Sequence, residues 1–261
     1  MTKFDIDKSL DLKIEELFNY RGFEELYALT KEKKTLLSGF HVQLKNLQAS
    51  IYFLDAYLEE NWDLDEKVIA EKWSLIFDCL AQFGIKNKMF EHYVAHIQKY
   101  ERHEKAIRKG ILPYTYTLKY FYFYKSCDVK LMRRLILERF PVLKSLFNLS
   151  DWKLFDLVTE VNDDATDIFE DLSTINGNRI LLTNLIDDKT KCESQFISFL
   201  DDLSLLNENW KYSEKPWTNK IKIITEENIE STKRVLSENL NNFTSEHKSA
   251  ARILPHLNKL I

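Results

Sequence analysis

The segment VNDDATDIFED, residues 161–171, concentrates oxygen-bearing side chains. Asn162, Thr166 and Glu170 recur every four residues, so on a helix they would form a row of oxygens about 12 Å long. Magnesium prefers oxygen ligands, commonly a few protein groups together with water and a substrate phosphate. The spacing therefore predicts a site that binds a diphosphate through Mg²⁺.

The alternative interpretation is that this segment is the solvent-exposed face of a helix. On a helical wheel, Trp152 and Phe155 lie on the same side as the oxygen row, one to two turns earlier. That face would change from apolar to polar along the helix, which a plain solvent-facing surface would not be expected to do. A deep apolar pocket lined by Trp152 and Phe155, with oxygen ligands at its mouth, would explain both halves.

The same segment resembles a known sequence motif. NDDATDIFE matches N-D-x-x-[ST]-x-x-x-E, the second metal-binding motif of class I terpene synthases, and Asn178 falls where those enzymes often carry an asparagine. The resemblance implies that Asn162, Thr166 and Glu170 ligate magnesium, with Asp163 as part of the motif. The overlapping DDATD is similar to the aspartate-rich motif of polyprenyl synthases. The resemblance therefore supports the isoprenoid synthase superfamily better than it supports either of these two branches.

A diphosphate held by several magnesium ions needs a second acidic wall. Asp55 and Glu59, one turn apart in YFLDAYLEENWD, are the candidates for this wall, and Asp78 in LIFDCLAQ competes with them. The family's first motif usually has two adjacent aspartates and a third acid, and the pair departs from that pattern. A solvated surface pair is the plain alternative.

A third resemblance concerns YKSCDV, which is similar to a helix break that carries a diphosphate-sensing arginine in microbial terpene synthases. Lys125 stands in the place of the arginine, and Asp128 follows three residues later. Lysine is a point charge and cannot form the bidentate fork of arginine. A surface lysine beside an N-capping aspartate is the alternative. Arg179, just past the acidic segment, is a further candidate for a phosphate contact.

An aromatic run precedes this break. Its rings recur at helical spacing, and aromatic faces stabilise cations, which suits a pocket that must hold a carbocation. Packing in the core is the alternative role. The run consists of Tyr116, Tyr120, Phe123 and Tyr124.

The elements that position these groups should be helices. The chain has 261 residues but only 5 glycines and 4 prolines, and apolar residues recur at helical spacing through most of it. We expect one all-α domain over residues 1–261, and the resemblance implies a bundle of the class I isoprenoid synthase type around a central cavity. Helices are expected at about 40–60, from there to a stop at Gly84, at about 87–109, at 114–124, and then up to Pro141. A further helix is expected at about 152–172 with Asp151 as its N-cap, and three or four more within 192–261.

Charge and composition narrow the function classes. The net charge is −4, so no global basic field draws the chain onto nucleic acid or an anionic membrane. No stretch approaches the roughly 20 apolar residues of a membrane span, and the N-terminal sequence lacks a signal-peptide pattern, so we expect a cytoplasmic protein. Cys79, Cys127 and Cys192 lack metal-site spacing and are expected to be reduced and buried.

These observations predict a Mg²⁺-dependent enzyme similar to class I terpene synthases. It would ionise an isoprenyl diphosphate to a carbocation and release pyrophosphate. A condensing prenyl transferase is one alternative. A noncatalytic helical protein that binds a partner or an apolar ligand is the other. The expected partner is the isoprenyl diphosphate, and a homodimer is one option for its assembly.

Overall fold

A computed structural model describes residues 6–85, 88, 90–175 and 178–260, and within these ranges the regular structure is helical, without strands. The prediction of an all-α protein is therefore confirmed. No helix among these residues is both long and apolar enough to cross a membrane. The helices are α1 (Lys8–Tyr20), α2 (Phe23–Thr30), α3 (Lys34–Glu60), α4 (Glu66–Ala81), α5 (Glu91–Ala106), α6 (Leu118–Lys125), α7 (Cys127–Arg139), α8 (Lys153–Thr166), α9 (Arg179–Ile186), α10 (Lys189–Asn209), α11 (Thr218–Asn242), α12 (Ser245–Ala250) and α13 (Leu254–Leu260).

Glycines end two of the predicted helices. Gly84 follows α4 with a φ of 64°, and Gly110 has a φ of 80° after a 3₁₀ turn, Ile107–Lys109, that extends α5. Left-handed backbone of this kind costs glycine little. The predicted start of α5 at about residue 87 lies outside the described residues. The four helices after residue 188 match the expectation for that part of the chain.

The aromatic segment 114–124 is α-helical only from Leu118 onward. A 3₁₀ helix occupies Pro113–Thr115, and α6 begins at Leu118. The Thr117 hydroxyl accepts a hydrogen bond from the Tyr120 backbone N–H at 3.3 Å, which is the contact of an N-cap. The helix therefore starts after Thr117, and the expectation of a helix from residue 114 was wrong at that end.

The acidic helix is shorter than predicted. Expected over about 152–172, α8 ends at Thr166, and a separate 3₁₀ helix covers Glu170–Ser173. The carbonyls of the last turn are satisfied from elsewhere in the chain, because the Asn178 amide donates to the Asp164 carbonyl at 2.9 Å and the Asn239 amide to the Ala165 carbonyl at 2.8 Å. Such side-chain caps stop a helix without glycine or proline.

The predicted N-cap of α8 at Asp151 was wrong. Asp151 lies inside a 3₁₀ helix, Leu149–Trp152, where it forms a capping box with Asn148. Its buried carboxylate accepts hydrogen bonds from the backbone N–H groups of Asn148 at 2.7 Å and Ser213 at 2.9 Å. The Ser213 hydroxyl is a third donor to this carboxylate, which therefore caps the 3₁₀ helix instead of α8.

The chain divides into two compact units, the first Met1–Ala95 with Asp128–Ser145 and the second His96–Cys127 with Leu146–Ile261. The single domain over residues 1–261 stays a prediction. In the first unit, α3 packs against α1 and α4, and α1 packs against α2. In the second unit, α8 packs against α6, α9, α10 and α11.

Helix α8 is enclosed by these neighbours, and this explains its burial. Every residue from Leu154 to Val161 is buried, polar ones included. Apolar residues of α10 and α11, such as Phe196 and Leu236, complete this core. The three cysteines of the chain are buried, as expected.

Candidate functional site

Two of the predicted motifs meet in the second unit. Lys125 is the last residue of α6, and Asp163 and Asp164 lie in the last turn of α8. The Lys125 ammonium lies 3.0 Å from Asp163 Oδ2 and also donates a short hydrogen bond to Asp164 Oδ1. The lysine therefore bridges both aspartates.

The two aspartates differ in their access to solvent. The Asp163 side chain is 41% exposed, whereas the Asp164 side chain is 0% exposed. Asp164 Oδ2 accepts two further hydrogen bonds, from the Tyr122 hydroxyl and from the Arg179 backbone N–H, both at 2.8 Å. Asp164 is thus a buried carboxylate with three donors, while Asp163 keeps an accessible carboxylate.

Burial and charge act against each other in this cluster. Burial raises the pKa of the Asp164 carboxyl, and the Lys125 charge opposes that change. Burial by itself would lower the pKa of Lys125, but the charges of Asp164 and then Asp163 raise it well above its ordinary value. Lys125 is therefore held as an ammonium ion between the two acids.

Asp164 belongs to a row of buried acids that the sequence reasoning missed. Asp156, Glu160 and Asp164 are spaced by four along α8, and all three are buried. The negative charge of Glu160 contributes to raising the pKa of Lys125. The spacing D-x-x-x-E-x-x-x-D was visible in the sequence, but on an isolated helix it does not distinguish a buried face from a wet one.

The predicted ligand row is only partly assembled. The Asn162 amide lies 3.5 Å from the Thr166 hydroxyl, and Asn162 Oδ1 accepts a hydrogen bond from the Thr232 hydroxyl at 3.2 Å. Glu170 is exposed and begins the 3₁₀ helix beyond the end of α8, so it does not continue the same helical row. The role of these residues as magnesium ligands stays a prediction.

Asn178 and Arg179 connect the cluster to α9. The Asn178 side chain accepts from the Leu181 N–H at 2.9 Å as the N-cap, and its amide donates to Asp171 Oδ2 at 2.7 Å. Arg179 is buried, and its guanidinium donates to the Tyr116 carbonyl at 3.3 Å. The predicted phosphate contact of Arg179 stays a prediction, while its backbone N–H already holds Asp164.

Three rings of the aromatic run, Tyr120, Phe123 and Tyr124, form one side of a cleft of about 280 Å³ in the second unit. Tyr120 and Tyr124 pack with their ring centroids 4.9 Å apart. The Lys99 ammonium lies over both rings, 5.2 Å from the centroid of Tyr120 and 4.5 Å from that of Tyr124. The cleft is lined by Thr117, Lys119, Tyr120, Phe123, Tyr124, Lys153 and Leu157.

Sequence reasoning missed two partners of these rings, Lys99 and His103. The His103 ring centroid lies 4.7 Å from that of Tyr116, which does not line the cleft. Lys99 and His103 are one turn apart on α5, a spacing that could have been read from the sequence, but their packing against α6 is a tertiary contact. The Lys99 ammonium also donates a hydrogen bond to the Tyr124 hydroxyl at 3.0 Å, so the fold already places a cation beside these tyrosines.

Trp152 and Phe155 lie in the core. Both are buried, and their ring centroids are 5.4 Å apart, with Phe147 5.6 Å from Trp152. Neither lines the cleft. Their predicted contact with substrate stays a prediction.

The other predicted residues belong to the first unit. Asp55 and Glu59 lie on α3 and are half-buried, while Asp78 is exposed on α4. Asp128, in the first turn of α7, accepts hydrogen bonds from its neighbour Val129 N–H at 2.7 Å and from the Gln48 amide at 3.4 Å. The acidic wall made by Asp55 and Glu59 stays a prediction, as does the catalytic role of Asp128.

Comparison with known proteins adds no relative. No family model, curated protein or solved structure matches this chain. The chemistry of the site therefore rests on the geometry of the second unit and on the resemblance of its motifs.

Proposed function

We propose that the chain is a Mg²⁺-dependent enzyme of the class I isoprenoid synthase type that ionises an isoprenyl diphosphate and releases pyrophosphate. One observation carries the proposal. Lys125 and Asp163, 38 residues apart in the sequence, lie 3.0 Å apart in the fold. The resemblance had assigned these residues separately to a diphosphate sensor and a metal motif, and a working site needs the two together.

The donor set at the end of α8 fits magnesium. Asp163, Asn162 and Thr166 offer a carboxylate, an amide oxygen and a hydroxyl within one turn, and hard oxygen donors are those that Mg²⁺ prefers. These residues and Glu170 would hold the ion. When bound, magnesium would neutralise charge on the leaving diphosphate. Both α6 and α8 end at this place, and helix C-termini favour cations.

Lys125 has two tasks in this proposal. With no substrate it pairs with Asp163 and Asp164, and with substrate it turns from the exposed Asp163 to the diphosphate oxygens. Asp164 keeps one hydrogen bond to the ammonium throughout, because its buried position and its other donors fix it. Lys125 would then stabilise the negative charge that develops on the leaving group.

The cleft suits the organic part of the substrate. Its aromatic side is on α6, and its other side, Lys153 and Leu157, is on α8, so it lies between the helices that carry the charged cluster. Tyr120 and Tyr124 already hold the Lys99 ammonium, through the Tyr124 hydroxyl as well as the two rings, so this side of the cleft favours positive charge. A condensing prenyl transferase would use the same groups.

A noncatalytic helical protein is the second candidate, and one observation favours it. Asp164 is fully buried and satisfied by Lys125, Tyr122 and Arg179. A closed network of this kind can serve only to fix the packing of the helices. In that case the acidic segment would bind no metal, and the cleft would accept an apolar ligand or a partner.

Incubation with allylic diphosphates of ten, fifteen and twenty carbons, each with and without isopentenyl diphosphate as an acceptor, tests the proposal. We expect at least one of them to yield free pyrophosphate and a hydrocarbon, alcohol or condensed product, with Mg²⁺ required and chelator abolishing the reaction. Pyrophosphate assay and gas chromatography measure both products. If none of the three substrates releases pyrophosphate above a protein-free control, the noncatalytic candidate replaces the enzyme.

A further inference from the structure

A second polar cluster lies in the first unit and shares no residue with the predicted motifs. It joins Glu15 on α1, Glu24 in the first turn of α2 and His41 on α3. One ligand atom from each residue can be chosen so that all lie within 4.8 Å of one another. Among the described residues, this is the one group of three or more histidine, cysteine or carboxylate side chains that is so close.

The histidine is held in a fixed orientation. Its ring packs edge-on against Phe18, with centroids 5.5 Å apart, and against Tyr27, with centroids 5.7 Å apart. His41 Nε2 lies 3.0 Å from both carboxylate oxygens of Glu15. Two ligands of one tetrahedral zinc ion are about 3.3 Å apart, given bonds of about 2.0–2.1 Å, so this pair needs little movement.

A buried, unsatisfied hydroxyl belongs to a neighbour of His41. Tyr27 is 5% exposed, and its hydroxyl has no hydrogen-bond partner in the part of the chain that the structure describes. The Tyr27 ring packs against the His41 ring, with centroids 5.7 Å apart, so the tyrosine belongs to the same packed group. A buried polar group without a partner costs about 1–3 kcal/mol and calls for an explanation such as a bound water or ion.

Lys45 as well as His41 holds the Glu15 carboxylate in place. The Lys45 ammonium lies 2.7 Å from Glu15 Oε1 and also pairs closely with Asp11. Because Asp11 keeps the lysine in place, the second oxygen of Glu15 can turn to a metal ion.

We propose that Glu15, Glu24 and His41 bind a divalent transition-metal ion of the zinc class, with the Tyr27 hydroxyl hydrogen-bonded to a water on the metal. An imidazole nitrogen in the set favours zinc or cobalt over magnesium, which prefers oxygen ligands alone. Three protein ligands leave a coordination position for water. The charge of the ion offsets the two carboxylates, and the water gives the buried hydroxyl its partner.

Titration of the full chain with Zn²⁺ or Co²⁺ alone tests this site. Calorimetry should show one equivalent bound, and cobalt should give visible absorption typical of a four- or five-coordinate site. Glu24→Gln should weaken binding at least about tenfold, since outer partners of metal ligands already cost that much when removed. Glu24 is exposed, so the variant should fold like the wild type.

Glu25→Gln is the matched control, because Glu25 is the exposed neighbour on the same turn and its loss changes the net charge equally. We expect its affinity for Zn²⁺ to equal that of the wild type, and Tyr27→Phe to weaken binding only a few-fold. No stoichiometric binding, or equal affinities of the two glutamate variants, would overturn the proposal. The titration contains no magnesium or diphosphate, so its outcome is independent of the proposed enzyme activity.

Discussion

Replacing Lys125 by methionine is expected to reduce the free energy of unfolding by about 3–5 kcal/mol. The substitution removes the cation from Asp164, whose side chain is 0% exposed, and leaves a buried carboxylate without its charged partner. Urea unfolding at neutral pH, followed by circular dichroism, measures the loss. Lys119→Met is the control, because Lys119 is exposed on the same helix and its replacement should cost within about 0.5 kcal/mol.

A double substitution separates loss of charge pairing from loss of packing. Lys125→Met combined with Asp164→Asn removes both charges and should recover part of the lost stability, because no buried ion then remains unpaired. A loss below about 1 kcal/mol for Lys125→Met alone is what an exposed ion pair would give. That result would contradict the buried network and the assignment of Lys125 to it.

Glu170→Gln is expected to slow magnesium-dependent release of pyrophosphate by about a hundredfold or more, the size of one lost electrostatic contact to a developing charge. The variant keeps the shape of the side chain and removes its charge. Glu170 is exposed at the start of a 3₁₀ helix, so stability should change by less than about 0.5 kcal/mol. Initial rates over a range of Mg²⁺ concentrations measure the effect.

The control for this prediction must be an acid outside the site. Asp171, the neighbour of Glu170, is unsuitable because its carboxylate accepts a hydrogen bond from Asn178 at 2.7 Å. Glu208→Gln, at an exposed position near the end of α10, makes the same chemical change. Equal rates of the two variants would show that Glu170 holds no magnesium.

The helices were the predictable part of this protein. Apolar spacing indicated α3, α4 and α8, and the glycines after α4 and α5 marked helix ends because their backbone conformation is a local property. The end of α8 at Thr166 was not local. It depends on amides of Asn178 and Asn239, which reach the last carbonyls of the helix from distant positions in the sequence.

Some residues of the candidate site were named from the sequence, but their contacts were not. Lys125 and Asp163 were named separately through the resemblance, and nothing in their spacing showed that they would pair. The burial of Asp156, Glu160 and Asp164 depends on the helices that surround α8. Glu15, Glu24 and His41 come from three helices, so no sequence motif could have indicated that cluster.

Thermal unfolding with Mg²⁺ and pyrophosphate together tests the central claim, that the cluster at the ends of α6 and α8 binds a metal-bound diphosphate. At about a hundred times the dissociation constant, a ligand stabilises the folded chain by about 2.7 kcal/mol, which corresponds to a rise in Tm of about 5–10 °C. We expect this rise in Tm only when Mg²⁺ and pyrophosphate are present together, and little change with either one alone. An unchanged Tm with both at millimolar concentration would contradict the claim.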